Sequence, residues 1–207
     1  MSVPQLKRDP LGHKRTSVTD LPYGFDPEVL LRDVIVVDKL DAARRQLESA
    51  ITMFFEDWDV VSQHTLISAA YGVLYDLSKH HGIGGSVKDS PLVRPEDRKG
   101  FISAIHLPQN FFKHAREDCG AKLTFRYQVS HFFLFDAIRL FVLLRRTATE
   151  PMKVFLVWFQ LRYPDLLSFP AAEDDMRKIR EGVSDPKLFK AIARSLLRDL
   201  PTKREEA

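Results

Sequence analysis

Apolar residues recur at three- and four-residue steps along most of the chain, the period of helices with one buried face. Over residues 34–55, Val36, Leu40, Ala43, Leu47, Ala50, Ile51 and Phe54 fall on one stripe, with Arg44, Arg45 and Glu48 on the outer face. Glu56-Asp57-Trp58-Asp59 breaks the pattern, and Asp59 is placed to cap a second helix running to about residue 80. There Leu66, Ala70, Val73 and Leu77 form the stripe, widened by Ile67 and Leu74. So short a connection predicts an antiparallel helical hairpin.

Glycines at 82, 84 and 85 and prolines at 91 and 95 then mark a loop. It has the glycines of a phosphate loop, but no lysine-serine or lysine-threonine pair follows and no strand precedes it, so an ordinary connection is expected. Pro95 suits the first turn of a helix ending near residue 107, and Pro108 that of another ending near residue 118. From about 127 to 146 the pattern is apolar on nearly every face, which predicts a buried central helix. Pro151 opens a helix carrying Phe155, Trp158 and Phe159, which are expected in the core. A charged stretch at 173–181 suggests another helix. Pro186 opens the last one, with Leu188, Ile192, Leu196 and Leu197 as its apolar side.

No convincing strand and no internal repeat interrupts this series. The fold class is therefore all-α: a compact helical bundle with an N-terminal antiparallel helical hairpin and a buried central aromatic-rich helix. Three parts are expected. Residues 1–27, with four prolines, two glycines and no period, form an extended or disordered arm. Residues 28–170 form the bundle, and residues 171–207 a C-terminal helical extension packed on or beside it.

Composition changes this picture little. An apolar fraction of 44% with 29% charged residues is ordinary for a soluble globular chain of 207 residues. A net charge of +3 is too small to argue for a nucleic-acid partner by itself. Cys119 is the only cysteine, so no intrachain disulfide can form; a partly buried thiol in a turn is expected. The N-terminus has no apolar leader pattern, and no window approaches the ~20 apolar residues of a membrane span, so a cytoplasmic protein without membrane contact is expected.

Candidate chemistry concentrates in residues 106–136, which hold three of the seven histidines. On a helix, Asn110, Lys113 and His114 would share a side, with Arg116 three residues beyond Lys113. That set suits an anion, an RNA phosphate or another ligand, but equally a solvated basic face. Arg126 and His131, five apart, could share a side if Arg126 is already helical. His131 could also be a hydrogen-bonded residue at the core edge. His64 is expected to make a structural hydrogen bond, and His80 and His81 to interact with the end of their helix. There is no zinc motif, no converging carboxylate pair, no nucleophile elbow and no dinucleotide fingerprint, so no metal and no cofactor are expected.

The first hairpin, with Leu40-Asp-Ala-Ala-Arg-Arg-Gln-Leu-Glu-Ser-Ala-Ile51, an acidic turn and His64-Thr-Leu-Ile-Ser-Ala-Ala-Tyr71, resembles the opening of HEPN-type domains. These are small helical bundles of prokaryotic defence and toxin–antitoxin systems. The likeness covers residues 34–144. It implies a homodimer and a metal-independent ribonuclease in which an arginine, followed after four to six residues by a histidine, acts on the RNA backbone. Arg126-Tyr-Gln-Val-Ser-His131 matches that spacing, with Tyr127 where the family carries a polar residue. Asn110-Phe-Phe-Lys-His-Ala also resembles a segment of a widespread group of uncharacterised bacterial proteins, which implies no activity. Two expectations stand side by side: an RNA-associated protein that is or is not a ribonuclease, and a non-catalytic helical adaptor or inhibitor binding a protein or a small anionic ligand.

Overall fold

The computed structural model describes residues 35–91, 93–115, 118–164 and 185–199, and no strand occurs among them. Contacts divide the chain between residues 37 and 38, and every helix described belongs to the second unit. They are α1 (Lys39–Phe55), α2 (Val60–His80), α3 (Arg98–Lys113), α4 (Val129–Arg145), α5 (Glu150–Arg162) and α6 (Pro186–Asp199), with one short 3-10 turn at Val87–Asp89. The arm expected at 1–27 and the helix expected at 173–181 lie outside the described residues. Among those described, no helix is long and apolar enough to cross a membrane.

Local signals account for the hairpin. Asp38 caps α1 by accepting a bond from the Asp41 amide at 2.6 Å, so the helix begins at Lys39 rather than near 34, and Val36 is exposed instead of joining the stripe. Asp59 caps α2 by accepting from the Ser62 amide at 2.7 Å, as its position predicts. Both helices end in a Schellman motif. In α1, Trp58 N–H bonds Met53 O (3.0 Å) and Asp57 N–H bonds Phe54 O (3.4 Å); in α2, Ile83 N–H bonds Ser78 O (2.7 Å) and Gly82 N–H bonds Lys79 O (3.1 Å). The left-handed residue is Gly82 (φ 66°) in the second case but Asp57 (φ 56°) in the first.

The hairpin is the scaffold for the rest. α4 packs on α2, α1 and α5, while α6 lies on α5 and α1. Ala43, Leu47, Ile51, Ile67 and Leu74 of the hairpin meet Leu134, Ile138, Phe155 and Phe159 in one buried cluster, which also includes Trp158. α4 is not buried all round: Phe132 is 41% exposed. Two expected helices at 95–118 are one helix, with Pro108 inside it. The proline removes one helical bond to the carbonyl of Ala104, and Ala104 is exposed, so water can take that bond. The inward side of α6 also differs. Phe189, Ala193 and Leu197 face the core, while Leu188 and Ile192 are exposed.

That rotation of α6 brings its basic edge onto the α1–α2 turn. Lys190 and Arg194 both hydrogen-bond the Asp57 carboxylate, the latter at 2.5 Å, and Arg194 Nε donates to Phe55 O at 2.7 Å. Arg198 forks onto Glu56 at 2.7 and 2.5 Å. These pairs hold both carboxyls below their ordinary range, through Lys190 first for Asp57 and Arg198 first for Glu56.

The apolar pattern of α4 is interrupted by Asp136, and that carboxylate is 1% exposed. Its Oδ2 accepts from Tyr71 OH (2.8 Å), Val87 N–H (3.0 Å) and Ser86 OH (3.4 Å); its Oδ1 accepts from Arg139 Nε (3.1 Å) and Nη2 (2.8 Å). Gly85 (φ 100°) brings the loop close to Arg139, where a Cβ would meet the guanidinium at 3.4 Å. Beside them Lys88 is buried with its ammonium 4.7 Å from the Tyr71 ring and 4.8 Å from the Tyr75 ring. Burial lowers the Lys88 pKa, while Asp76, Asp136 and Asp89 oppose the shift. Replacing Asp136 by alanine is expected to lose about 1–3 kcal/mol, because it leaves the buried Tyr71 and Ser86 hydroxyls and the Val87 N–H without their acceptor, while Arg139, whose side chain is 37% exposed, can turn to water. The expected readout is a lower urea midpoint, whereas Arg198→Ala on the surface should leave that midpoint nearly unchanged.

Candidate functional site

A cleft of about 410 Å³ opens where the end of α1, the following turn and the starts of α2, α4 and α6 meet α5. Met53, Phe54 and Trp158 line its apolar side; Asp57, Trp58, Gln63, Tyr127, His131, Lys187 and Lys190 supply the remainder together with Val60. Trp58 of the Schellman turn and Tyr127, two residues ahead of α4, both line the cleft. Trp58 is 58% and Tyr127 48% exposed. The side-chain amide of Gln63 donates a hydrogen bond from Nε2 to Ala50 O at 3.1 Å.

His131 is packed edge-on against Trp158 (centroids 4.9 Å apart) and Phe54 (5.3 Å), and its Nδ1 shares a hydrogen bond of 2.9 Å with Tyr163 OH. Burial pushes its pKa down to about 4, helped by the charges of Lys190 and Arg162. The ring is neutral near pH 7 and well anchored. A base of that pKa gains little by taking a proton at neutral pH, so the ring suits stacking and hydrogen bonding better than proton transfer.

The charges leave a small positive excess. Lys190 shares the Asp57 carboxylate with Arg194 and lies 4.3 Å from the Phe54 ring centroid. Lys187 also lines the cleft and makes no ion pair among the described residues, so its charge adds to that excess. Among the described residues no three His, Cys, Asp or Glu side chains converge in a way that could hold a metal ion.

The structure does not join Arg126 to His131. Arg126 is exposed and lies ahead of α4, which starts at Val129, so the condition that it be helical is not met. Its carbonyl accepts the Val129 amide at 3.0 Å, and the residues lining the cleft do not include it. Asn110 and Lys113 are exposed near the end of α3. His114 has left the helix (φ −128°, ψ 134°), with its amide bonded to Asn110 O at 3.0 Å. Arg116 lies outside the described residues. No hydrogen bond among the described residues links Asn110, Lys113 and His114 side chains. Cys119 is exposed, not partly buried, because its turn lies at the surface.

The aromatic stretch at 106–136 gathers instead on a histidine outside it. His64 is fully buried, with Nδ1 2.9 Å from Ser130 Oγ and its ring against Phe125 (4.9 Å), Phe133 (5.6 Å) and Phe112 (6.0 Å). Its Nε2, and Ser68 Oγ one turn later, have no hydrogen-bond partner. Burial lowers the His64 pKa to about 4. The helical period places position 64 near a buried face, but nothing local in the sequence announces Ser130 or the phenylalanines around it. Compared with known protein families, with curated proteins and with solved structures, the chain matches none.

Both depressed histidines link stability to pH. The unfolded chain takes up these protons near pH 6.5, whereas the folded chain resists them down to about 4. Their stabilising contribution is therefore full above pH 6.5 and is lost as pH falls through about 4. For fully buried His64 the loss is on the order of 3 kcal/mol. Melting temperature measured from pH 7.5 to 4 should fall on acidification, and more shallowly in a His64→Gln variant.

Proposed function

We propose that the protein is an RNA-associated helical bundle that holds a single-stranded segment in the His131 cleft without cutting it. The observation that carries this reading is the placing of two half-exposed rings, Trp58 and Tyr127, at a cleft with the unpaired charge of Lys187. Unpaired bases stack on such rings at about 1–3 kcal/mol each, and lysines meet the phosphates. Anchored His131 and the amide of Gln63 add polar groups that can meet a base edge.

The separation of Arg126 from His131, together with the low basicity of that histidine, favours binding over cleavage. The ribonuclease chemistry implied by the HEPN resemblance needs both groups at one phosphate.

Short labelled single-stranded RNA should bind saturably by fluorescence anisotropy, and Trp58→Ala or Tyr127→Ala should weaken it roughly tenfold. Lys187→Glu should weaken it and reduce the slope of log affinity against log salt by about 0.7 or more. The RNA should remain intact without metal. No saturable binding, or equal binding by all three variants, would sink the proposal; metal-free cleavage abolished by His131→Ala would replace it with the nuclease.

A further inference from the structure

We propose that the gap between α3 and α4 is a second binding site, for a small uncharged apolar molecule of one or two rings or a short alkyl chain. This goes beyond RNA association and does not depend on it.

The gap is a cavity of about 300 Å³ whose walls come from four parts of the fold. Phe101 and Ile105 of α3 face Phe132 and Phe133 of α4, with Val87 of the 3-10 turn and Tyr71 of α2 closing the base. Asp136 also borders it, but Tyr71 OH, Val87 N–H and Arg139 already donate to its two oxygens, and the Ser86 hydroxyl lies against Tyr71 OH at 2.8 Å. A charged or strongly polar ligand would therefore lose its water without gaining a partner.

The space is held open from both ends. At the start of α3, Arg98 donates to the carbonyls of Lys88 (2.9 Å), Ser90 (3.0 Å) and Val93 (3.3 Å). At its far end Phe112 packs on Phe125 (5.3 Å) and His64 (6.0 Å). Pinned this way, α3 buries none of its residues completely, although Phe101 and Ile105 share one side. Phe132 at 41% and Val87 at 46% exposure leave further apolar surface at the rim. A collapsing core would ordinarily cover these groups, at roughly 25 cal/mol for each Å². Here the anchors prevent collapse, and a ligand can supply the missing contacts.

Size limits the occupant. The groove is half open, and its volume of about 300 Å³ lies at the lower end of the ~300–1,000 Å³ typical of small-molecule sites, which suits one or two rings or a short alkyl chain.

The test is calorimetric titration and thermal melting of the full chain with naphthalene and, separately, 1-octanol. Saturable binding with a negative heat-capacity change and a raised melting temperature is expected. Naphthalene-2-sulfonate should bind at least tenfold more weakly. Ile105→Phe and Phe101→Trp, two independent ways of filling the space, should each abolish binding while circular dichroism stays helical; Lys187→Glu, in the other cleft, should leave it unchanged. Absence of saturable binding by both probes would overturn the proposal. So would equal affinity for the sulfonate, binding that survives a folded filling variant, or a sedimentation shift in those variants showing that the groove joins two copies.

Discussion

The buried carboxylate of Asp136 is the constraint on which the arrangement of helices depends. A charge almost wholly removed from water is tolerable only when its oxygens are saturated with donors. Those donors come from Tyr71 on α2, from the loop at Ser86 and Val87, and from Arg139 on α4 itself. One side chain thereby sets how α4 crosses α2 and where the loop returns after the hairpin. Because Arg98 then bonds that loop at the carbonyls of Lys88 and Ser90, the same network sets the start of α3 and the width of the gap beside it.

The other end of the bundle is held by a different kind of force. Lys190, Arg194 and Arg198, four residues apart along α6, meet the acidic turn of the hairpin, where Asp57 adopts a left-handed conformation usually left to glycine. These pairs lie near solvent and are open to screening by salt, unlike the Asp136 network. The apolar side of α6, Phe189, Ala193 and Leu197, turns inward, and the same rotation leaves Lys187 and Lys190 lining the cleft with Trp158 and Phe54. The His131 cleft exists because a surface electrostatic contact and an interior aromatic cluster meet along one helix.

Two histidines illustrate how burial changes what an imidazole can do. His64 and His131 each have one ring nitrogen bonded, to Ser130 and Tyr163, and burial away from water disfavours a positive charge on each. His131 differs in standing at a cleft, where a neutral, fixed ring can contact a ligand. The exposed Asn110, Lys113 and His114 have the more suggestive composition, but the end of α3 at Lys113 carries His114 off their shared side.

Periodicity and capping residues were enough to read the all-α class, the hairpin, the Asp59 cap and the core placement of Phe155, Trp158 and Phe159, because these depend on neighbours within a turn or two. Pro108 misled as a helix start because an exposed helix can surrender one bond to water, which no local pattern reveals. The structural hydrogen bond expected of His64 is there, but neither its partner nor those of Asp136 could be read locally. Their partners lie 65 and 66 residues away, at Tyr71 and Ser130. The sequence by itself determined which segments coil and which of their sides are apolar. Only the tertiary structure decided which polar groups meet, since that depends on the crossing and rotation of whole helices.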